Sequence, residues 1–322
     1  MFYGGALALI IEVLPNIFMV KVPLPWPSPG AVNSYIIRAK KPLVIDTGFN
    51  AEICYAALLG AMNKIGVDYR EADYFITHFH VDHIGLVGKL TKNIYIGDED
   101  AKILQNGFFK PNILKFFIMN GFSQRDLEAI MRFRSSVNLK GVNFQPVKDG
   151  EILEYGDYML RAISTPGHTP GHMCLYDEKR RILFSGDHIL FNITPSIFYW
   201  KDHDSLSEYL NSLEKIYYLN ANRAFPGHGD FHEGVNERIL ELKRHHNKRL
   251  EEIIGALRGG AKTAWQLASH ITWNISYNEW SELSPIQKWF IINEVVTHLL
   301  HLERRGVITK EIRHGIFYYE LR

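Results

Sequence analysis

The sequence predicts an α+β fold, an αββα sandwich in which two β-sheets pack face to face and helices cover their outer faces. Predicted strands and helices follow one another in an irregular order, which is typical of such a sandwich and argues against a simple doubly wound sheet. Hydrophobic residues make up 46% of the 322 residues, enough for a substantial core. Because this length exceeds the usual size of one domain, either one large domain with a small one or two medium domains would fit.

The first third of the chain alternates strands with helices. Apolar runs bounded by Pro and Gly predict five strands, at residues 13–22, 31–39, 42–46, 74–77 and 94–96. A Pro-rich loop at residues 23–30 separates the first two strands. Residues 51–65 carry apolar side chains at helical spacing, and a further helix is predicted from Gly85 onwards.

The pattern changes between residues 98 and 137, which are predicted to be helical throughout and to form an insertion over the sandwich. This stretch is rich in phenylalanine, at Phe108, Phe109, Phe116, Phe117, Phe122 and Phe133. Further strands are predicted at residues 143–146, 158–164, 173–176, 182–185 and 223–225, and helices at 206–219 and 233–257.

The sequence Arg258-Gly259-Gly260 predicts a domain boundary, between residues 1–257 and 258–322. Beyond it, the pattern predicts two helices and a β-hairpin, at residues 263–271, 285–304 and 306–319. Helices followed by a hairpin are the order of elements in a winged-helix unit.

Charge and cysteine content narrow the class of protein. The formal net charge is +1, which gives no general attraction to nucleic acid or to a membrane. Two cysteines, Cys54 and Cys174, do not suggest a disulfide framework and favour a reducing compartment. The apolar residues 5–14 include Glu12, lack a basic flank and are too few to span a bilayer. We therefore expect a soluble cytoplasmic protein with no membrane partner.

The strongest chemical signal is the sequence HFHVDH at residues 78–83, between a predicted strand and a predicted helix. Four potential ligands within six positions cannot share one face of a strand or helix. A loop, however, can place His78 and His80 on one ion and Asp82 and His83 on a second. Imidazole and carboxylate ligands suit Zn, Mn or Fe(II). The alternative, a polar loop of surface histidines, explains a lone His better than this dense group.

Three further turns each carry one candidate ligand. They are TPGHTPGH with His168, SGDH with Asp187, and FPGHG with His228. Gly186 allows close approach of the backbone next to Asp187. Because each turn follows a predicted strand, all three can reach a common sheet edge.

In order and separation these loops resemble those of the metallo-β-lactamase fold superfamily, and the sequence VIDTG around Asp46 is similar to its early aspartate-glycine motif. The resemblance covers residues 10–235 and implies the metallo-β-lactamase fold with two divalent metal ions. It implies three ligands for each ion and one bridging ligand, namely His78, His80 and His168, then Asp82, His83 and His228, and Asp187 as the bridge. Asp46 is implied to support the His loop from outside the ligand set.

The resemblance predicts a binuclear metal-dependent hydrolase. Two ions about 3.5–4 Å apart polarise a shared water, and the resulting hydroxide is expected to attack a carbonyl or phosphoryl centre. Asp82 is the candidate catalytic residue that orients this hydroxide and carries its proton. Zn²⁺ is the favoured cofactor, and Fe or Mn also suit the ligands. Asp187 in place of Cys argues against the best-known true β-lactamases, and His80 in place of Glu against the di-iron flavoproteins.

Four residues are weaker candidates for the surroundings of the metals or the substrate pocket. Asn33 is predicted to line the metal cleft. His172 is a candidate for the same region, with a hydrogen bond inside its own loop as the alternative. His188 has either a pocket role or a packing role. Tyr199 is a candidate pocket wall, with a plain hydrophobic anchor as the alternative.

The tail resembles the winged-helix extension of the LACTB2-like subgroup of this superfamily, at residues 262–268, around Trp280 and along 285–308. That subgroup includes a single-strand-specific endoribonuclease, and relatives act as thioesterases. The resemblance implies that residues 1–257 are the catalytic domain and residues 258–322 a winged-helix-like domain.

Three functions follow, two of them hydrolytic and the third from a different class. The first is hydrolysis of a thioester or related acyl ester, with the Phe-rich insertion over an apolar pocket or simply packed on the sandwich. The second is cleavage of single-stranded RNA, although residues 259–322 hold seven Lys/Arg and six Asp/Glu and so lack an excess of cations for phosphate. The third, a non-catalytic binding module, conflicts with the complete ligand set. The expected binding partner is a small acyl substrate, with RNA as the second candidate. The tail is also a candidate contact surface for a homodimer.

Overall fold

The computed structural model describes residues 8–26, 28–106, 111–134, 137–273 and 282–322. For residues 111–113, 129 and 131–134 only the backbone is described. Within these ranges, no helix combines the length and the apolar character needed to cross a membrane.

The first sheet has seven strands that follow one another in chain order across the sheet. They are β1 (Leu9–Leu14), β2 (Ile17–Pro23), β3 (Ala31–Ile37), β4 (Leu43–Ile45), β5 (Asp73–Ile76), β6 (Asn93–Gly97) and β7 (Asn143–Val147). Neighbours are antiparallel from β1 to β4 and parallel from β4 to β7. The carboxyl ends of β4, β5 and β6 therefore share one edge.

The second sheet has six strands, in the order β13-β12-β11-β10-β9-β8. They are β8 (Ile152–Tyr155), β9 (Tyr158–Ser164), β10 (Met173–Asp177), β11 (Ile182–Gly186), β12 (Arg223–Pro226) and β13 (His232–Glu233). Only the pair β11 and β12 is parallel, so the turns that follow these two strands emerge at the same edge.

The alternation of side chains along β2 shows how the layers form. Ile17 and Met19 pack between the two sheets, with residues such as Phe184 from β11. Phe18 and Val20 point to the opposite face, where α1 (Glu52–Ile65) packs. On the second sheet, α7 (Ser205–Leu219) and α8 (Val235–Leu257) cover the outer face. The predicted αββα sandwich is thus confirmed.

Two expectations about strands were wrong. The sequence predicts one strand over residues 13–22, whereas the chain turns at Pro15 and Asn16 and pairs β1 with β2. Asn16 adopts a φ of 61°, a left-handed conformation that asparagine tolerates. The sequence also did not predict β8, which pairs with β9 as a hairpin, or the two-residue β13, which pairs with β12 where the helix was predicted to begin.

The insertion is not helical throughout as predicted: its described part holds α4 (Asp98–Asn106), α5 (Pro111–Met119) and α6 (Gln124–Arg134), and the chain turns at residues 120–123 between the last two. Two very short helices precede it, α2 (Val81–Ile84) and α3 (Val87–Leu90). Phe117 and Phe122 are buried, and both rings contact Trp289 near the C-terminus. These aromatic side chains therefore pack the insertion onto the molecule. Phe108, Phe109 and the side chain of Phe133 lie outside the described residues.

The C-terminal segment has the predicted order of elements, with α9 (Ala264–Ala268), α10 (Pro285–Arg304), β14 (Ile308–Arg313) and β15 (Ile316–Leu321). Capping boxes at Thr263 and Ser284 begin the two helices. Buried residues from Phe18 to Tyr319 form one continuous apolar cluster, so this segment shares a core with the first sheet. The winged-helix assignment and the boundary at residue 258 stay predictions, and Trp280 lies outside the described residues.

Candidate metal centre

The histidine loop begins where β5 ends at the carboxyl edge of the first sheet. His78 and His83 are fully buried, whereas His80 and Asp82 are partly exposed. His80 precedes the single turn of α2, which carries Asp82 and His83. The loop thus directs its four candidate ligands from one strand end and one short helix.

The other three candidate ligands come from the second sheet. His168 lies in the loop between β9 and β10, Asp187 follows β11, and His228 follows β12. Two glycines permit the close approach. A Cβ at Gly186 would lie 2.7 Å from the ring of His172, and one at Gly227 would collide with Oδ1 of Asp187.

The structure brings all seven predicted ligands together. His78, His80 and His168 form one group, here called the first cation site, and Asp82, His83 and His228 form the second cation site. Within each group the potential ligand atoms lie within 4.8 Å of one another. Asp187 forms a third such group with His78 and His83, so it stands between the two sites.

Distances from Asp187 support this intermediate position. Its Oδ2 lies 3.7 Å from Nε2 of His168 in the first site and 3.6 Å from Nε2 of His228 in the second. Its Oδ1 lies 3.5 Å from Nε2 of His83. One carboxylate therefore faces ligands of both sites, as a bridging ligand must.

The ring orientations suit ligation because the nitrogen away from the site is held by another group. Nδ1 of His83 lies 2.8 Å from Oδ2 of Asp46. Nδ1 of His168 donates to the carbonyl of Ser196 at 2.6 Å, and Nδ1 of His228 to the carbonyl of Ala31 at 2.7 Å. In each ring, Nε2 is left to face the site.

Buried polar atoms that lack a hydrogen-bond partner also indicate that these residues fit divalent cations. In the described part of the chain, Nε2 of His78, Nε2 of His83 and Oδ1 of Asp187 are buried without a hydrogen-bond partner. Each such atom costs about 1–3 kcal/mol if nothing compensates it. Imidazole and carboxylate donors of this kind are the ligands of Zn, Mn and Fe(II), so cations would satisfy all three.

The electrostatics of the two sites differ. Burial, followed by the neighbouring histidines, holds the pKa of His78 well below its ordinary value. Burial also acts to lower the pKa of His83, but the carboxylates of Asp187, Asp46 and Asp82 together raise it well above that value. The first site therefore favours neutral imidazole, the ligand form, while carboxylates dominate the second site.

Asp46 lies where the sequence resemblance implies, outside the ligand set and directly behind it. It is buried, and its Oδ1 accepts a hydrogen bond from the backbone N–H of Thr77 at 2.8 Å. Its Oδ2 accepts from the Thr77 hydroxyl at 2.8 Å and contacts His83. This carboxylate ties the end of β5 to α2.

Asn33 holds the turn of His228, and it is buried beneath that turn and does not line an open cleft. Its side-chain amide donates to the carbonyls of Pro226 and Gly229, both at 2.9 Å. Tyr35 adds a bond from its hydroxyl to the same carbonyl of Pro226 at 2.8 Å. Residues of β3 in the first sheet thus fix a ligand turn of the second.

The remaining weak candidates lie outside the three ligand groups. His172 contacts the hydroxyl of Thr165 at 2.8 Å through Nδ1 and accepts from the backbone N–H of Asp187 through Nε2, which is a structural arrangement. His188 is buried, with its ring against Tyr209. Tyr199 stacks on Phe116 of the insertion at a ring distance of 3.9 Å.

The sequence did not single out Asp100, a fully buried carboxyl at the start of α4. It lies in the acidic first turn of α4, where carboxylates are common because they interact favourably with the positive end of the helix dipole. Burial raises the pKa of Asp100 to about 7, although hydrogen bonds from Thr169, Gly171 and Phe79 oppose this rise. These three donors belong to the loops that carry His168, His78 and His80.

Comparison with known proteins agrees with this architecture. The family model described as the metallo-β-lactamase superfamily matches residues 27–102 and 120–228. A metallo-β-lactamase family protein from Thermus thermophilus superposes with a TM-score of 0.83 at 27% identity, over 97% of this chain and all of that one. A β-lactamase domain protein from Burkholderia ambifaria has a TM-score of 0.81 at 22% identity, over 97% and 94% of the two chains, which supports the fold alone.

Two curated relatives are informative. The β-lactamase-like protein 2 homolog of Caenorhabditis elegans is 32% identical over 229 residues, covering 70% of this chain and 65% of that one. The atrochrysone carboxyl ACP thioesterase of Aspergillus fumigatus is 25% identical, over 80% and 71% of the two chains. The chain spans less than two thirds of the length of several curated relatives it matches, 65% and 59% in two cases.

Proposed function

Because the chain belongs to the metallo-β-lactamase superfamily of hydrolases, we propose that it hydrolyses a carbonyl ester, in first place a thioester, at a site that binds two divalent cations. The convergence of seven His and Asp side chains from four loops, with buried donor atoms directed at one another, carries this proposal. Zn²⁺ is the proposed ion, since the donor set is typical of zinc hydrolases.

The chain's own residues have distinct tasks in this reaction. Bound cations would supply Lewis-acid polarisation of the carbonyl and a lowered pKa for water. Asp187 faces both sites and fixes their separation. Asp82 is the proposed proton carrier, because its carboxylate is more exposed than the buried histidines beside it and its Oδ2 lies 3.3 Å from Nε2 of His228.

An aromatic surface beside the first cation site favours an apolar acyl group. The ring of Phe198 contacts those of His80 and His168, at centroid distances of 5.2 and 5.9 Å. Phe198 in turn contacts Phe290 of α10 at 5.5 Å, and Phe290 is 43% exposed. Aromatic side chains in contact therefore run from the ligands to the exterior, and the exposed ring of Phe290 offers an apolar contact for an acyl or aryl group. The thioesterase relative agrees with this substrate class.

Cleavage of single-stranded RNA is less well supported. Phosphate binding depends on clustered cations, whereas residues 259–322 hold seven Lys/Arg and six Asp/Glu. Lys310 in this segment also pairs with Glu303 at 3.0 Å. A non-catalytic binding role would leave the full set of converging ligands without a purpose.

The test is an activity panel on zinc-loaded protein with acyl thioesters, lactones, a phosphodiester and single-stranded RNA. We expect thiol release from aromatic or medium-chain thioesters. Asp187→Ala should reduce it at least ~100-fold, because groups that only orient metal ligands already cost about 10–100-fold when they are replaced, and Asp187 is the proposed bridging ligand itself. Asp73→Asn is the matched control, because Asp73 lies at the opposite end of β5, where it accepts a hydrogen bond from Tyr155. Cleavage of RNA alone, or full activity of Asp187→Ala, would contradict the proposal.

A further inference from the structure

Asp100 makes three hydrogen bonds to two loops that are far apart in the sequence. Its Oδ1 accepts from the backbone N–H of Gly171 at 2.6 Å. Its Oδ2 accepts from the Thr169 hydroxyl at 2.8 Å and from the backbone N–H of Phe79 at 3.2 Å. Because the side chain is fully buried, water cannot replace these bonds.

Two donors of these bonds lie next to the proposed ligands of the first cation site. Phe79 lies between His78 and His80, and Thr169 directly follows His168. One carboxylate is therefore bonded to both loops that supply the first cation site. Asp46, by contrast, contacts the ring of His83 in the second site directly, and it reaches His78 of the first site through the Thr77 hydroxyl, which lies 3.0 Å from Nδ1 of His78.

Close packing of the backbone puts Asp100 within reach. A Cβ at Gly97, the last residue of β6, would overlap the carbonyl oxygen of Gly171. A Cβ at Gly171 would overlap the backbone nitrogen of Asp100. Neither overlap could be relieved without moving the backbone. The start of α4 is thus pressed against the His168 loop at two positions that only glycine can occupy.

We propose that Asp100 is the positioning residue of the first cation site, holding the loop of His78 and His80 and the loop of His168 at ligating separation. This inference rests on the proposed binuclear site and adds a division between two buried carboxylates. Asp100 acts on the first site alone, whereas Asp46 supports one ligand in each site. Groups that orient metal ligands typically change metal affinity about 10–100-fold when they are replaced.

Asp100→Asn is the informative change because it preserves shape and removes one acceptor. The amide has a single acceptor oxygen, whereas two backbone N–H groups and one hydroxyl point at the carboxylate. In either orientation the new NH₂ group faces a backbone N–H, from Gly171 or from Phe79. One of the two loops must therefore lose its backbone hydrogen bond to residue 100.

The experiment measures Co²⁺ binding to metal-free protein by competition with a chelator, with the visible spectrum as a second readout. His228→Ala removes a ligand of the second site, and His168→Ala one of the first. In the His228→Ala background, Asp100→Asn should weaken Co²⁺ binding about 10–100-fold. In the His168→Ala background it should have no effect beyond that of the control Asp73→Asn. Asp46→Asn should weaken binding in both backgrounds, because Asp46 contacts His83 directly and His78 through Thr77.

The proposal would be overturned if Asp100→Asn weakened Co²⁺ binding equally in both backgrounds, or if it weakened binding in neither. If Asp100→Asn does not fold, as judged by circular dichroism, Thr169→Val takes its place, since it removes only the hydroxyl bond to Asp100. It should weaken the first site a few-fold and leave the second unchanged, and any other pattern counts against the positioning role. No substrate is used, so a wild-type protein that binds two ions but hydrolyses no ester contradicts the proposed function alone.

Discussion

Acidification should weaken the packing of α10 against α8, through a pair of buried histidines outside the metal centre. Nδ1 of His246 on α8 lies 3.2 Å from Nε2 of His298 on α10, and both side chains are fully buried. The charged and titratable groups that face them are His245 and Arg249 on α8, Glu294 on α10, and Tyr209 on α7, whose ring lies 5.3 Å from that of His246. Two imidazoles at this distance cannot both be protonated without strong repulsion.

The magnitude follows from the pKa of His298, which burial lowers from 6.5 to about 4. The unfolded chain takes up a proton near pH 6.5, and the folded chain only near pH 4. The contribution of the neutral form is therefore present above pH 6.5 and is lost as the pH falls towards 4. By linkage, His298 alone lowers the free energy of unfolding by about 2 kcal/mol between roughly pH 7.5 and pH 5. Glu294, with a pKa of about 2, should add little in this range.

The assay is urea denaturation of metal-free protein at both pH values, for wild type and for His298→Gln. Chelation removes the pH dependence of metal binding, and both proteins share every other titrating group. We expect the wild type to lose about 2 kcal/mol more than the variant over this range. An equal loss in the two proteins would refute the reasoning, because it would show that His298 does not stay neutral in the folded chain.

Three further predictions concern the metal centre and its surroundings. Removing metal with a chelator should abolish ester hydrolysis and lower the melting temperature, and Zn²⁺ should restore both; activity that survives chelation would contradict a metal-dependent site. Phe290→Ala should raise KM about tenfold for aromatic acyl thioesters and leave acetyl thioesters unchanged, so an equal change for both would show that Phe290 does not contact the acyl group. Asn33→Ala should lower the free energy of unfolding by about 1–2 kcal/mol, since the carbonyl of Gly229 loses its side-chain donor while that of Pro226 keeps the Tyr35 hydroxyl, and denaturation that matches wild type would exclude this role.

Much of the candidate site could be predicted from the sequence because its potential metal ligands are concentrated in a few short segments that lie at strand ends. His78, His80, Asp82 and His83 lie within six positions, and the carboxyl ends of parallel strands must meet at one edge. The three glycine-rich turns follow strands of the second sheet for the same reason. Their local sequence fixes the turns, and the sheet topology fixes where they meet.

The supporting contacts could not be predicted, because they join residues that are distant in the sequence. Nothing near Asp100 indicates that its partners are 69 and 71 residues away, at Thr169 and Gly171. Asn33 reaches a turn 193 residues further along the chain. Locally, Pro15 and Asn16 did signal a turn, but the strong apolar pattern around them favoured one long strand. Long-range hydrogen bonds leave no periodic trace in a sequence, whereas burial does.

The proposed metal ligands and the proposed substrate contact lie in different parts of the chain, which bears on substrate specificity. The family model ends at residue 228, so every proposed cation ligand lies in the part shared with the superfamily. Phe290 lies beyond that part, on α10, yet it continues the aromatic surface that begins at His80 and Phe198. Ligands held by buried polar groups cannot move without losing those bonds, whereas an exposed ring can change at little cost to stability. We therefore expect substrate choice to vary with α10 while the metal chemistry stays constant, so that substitutions at Phe290 change KM among acyl groups and leave metal affinity untouched.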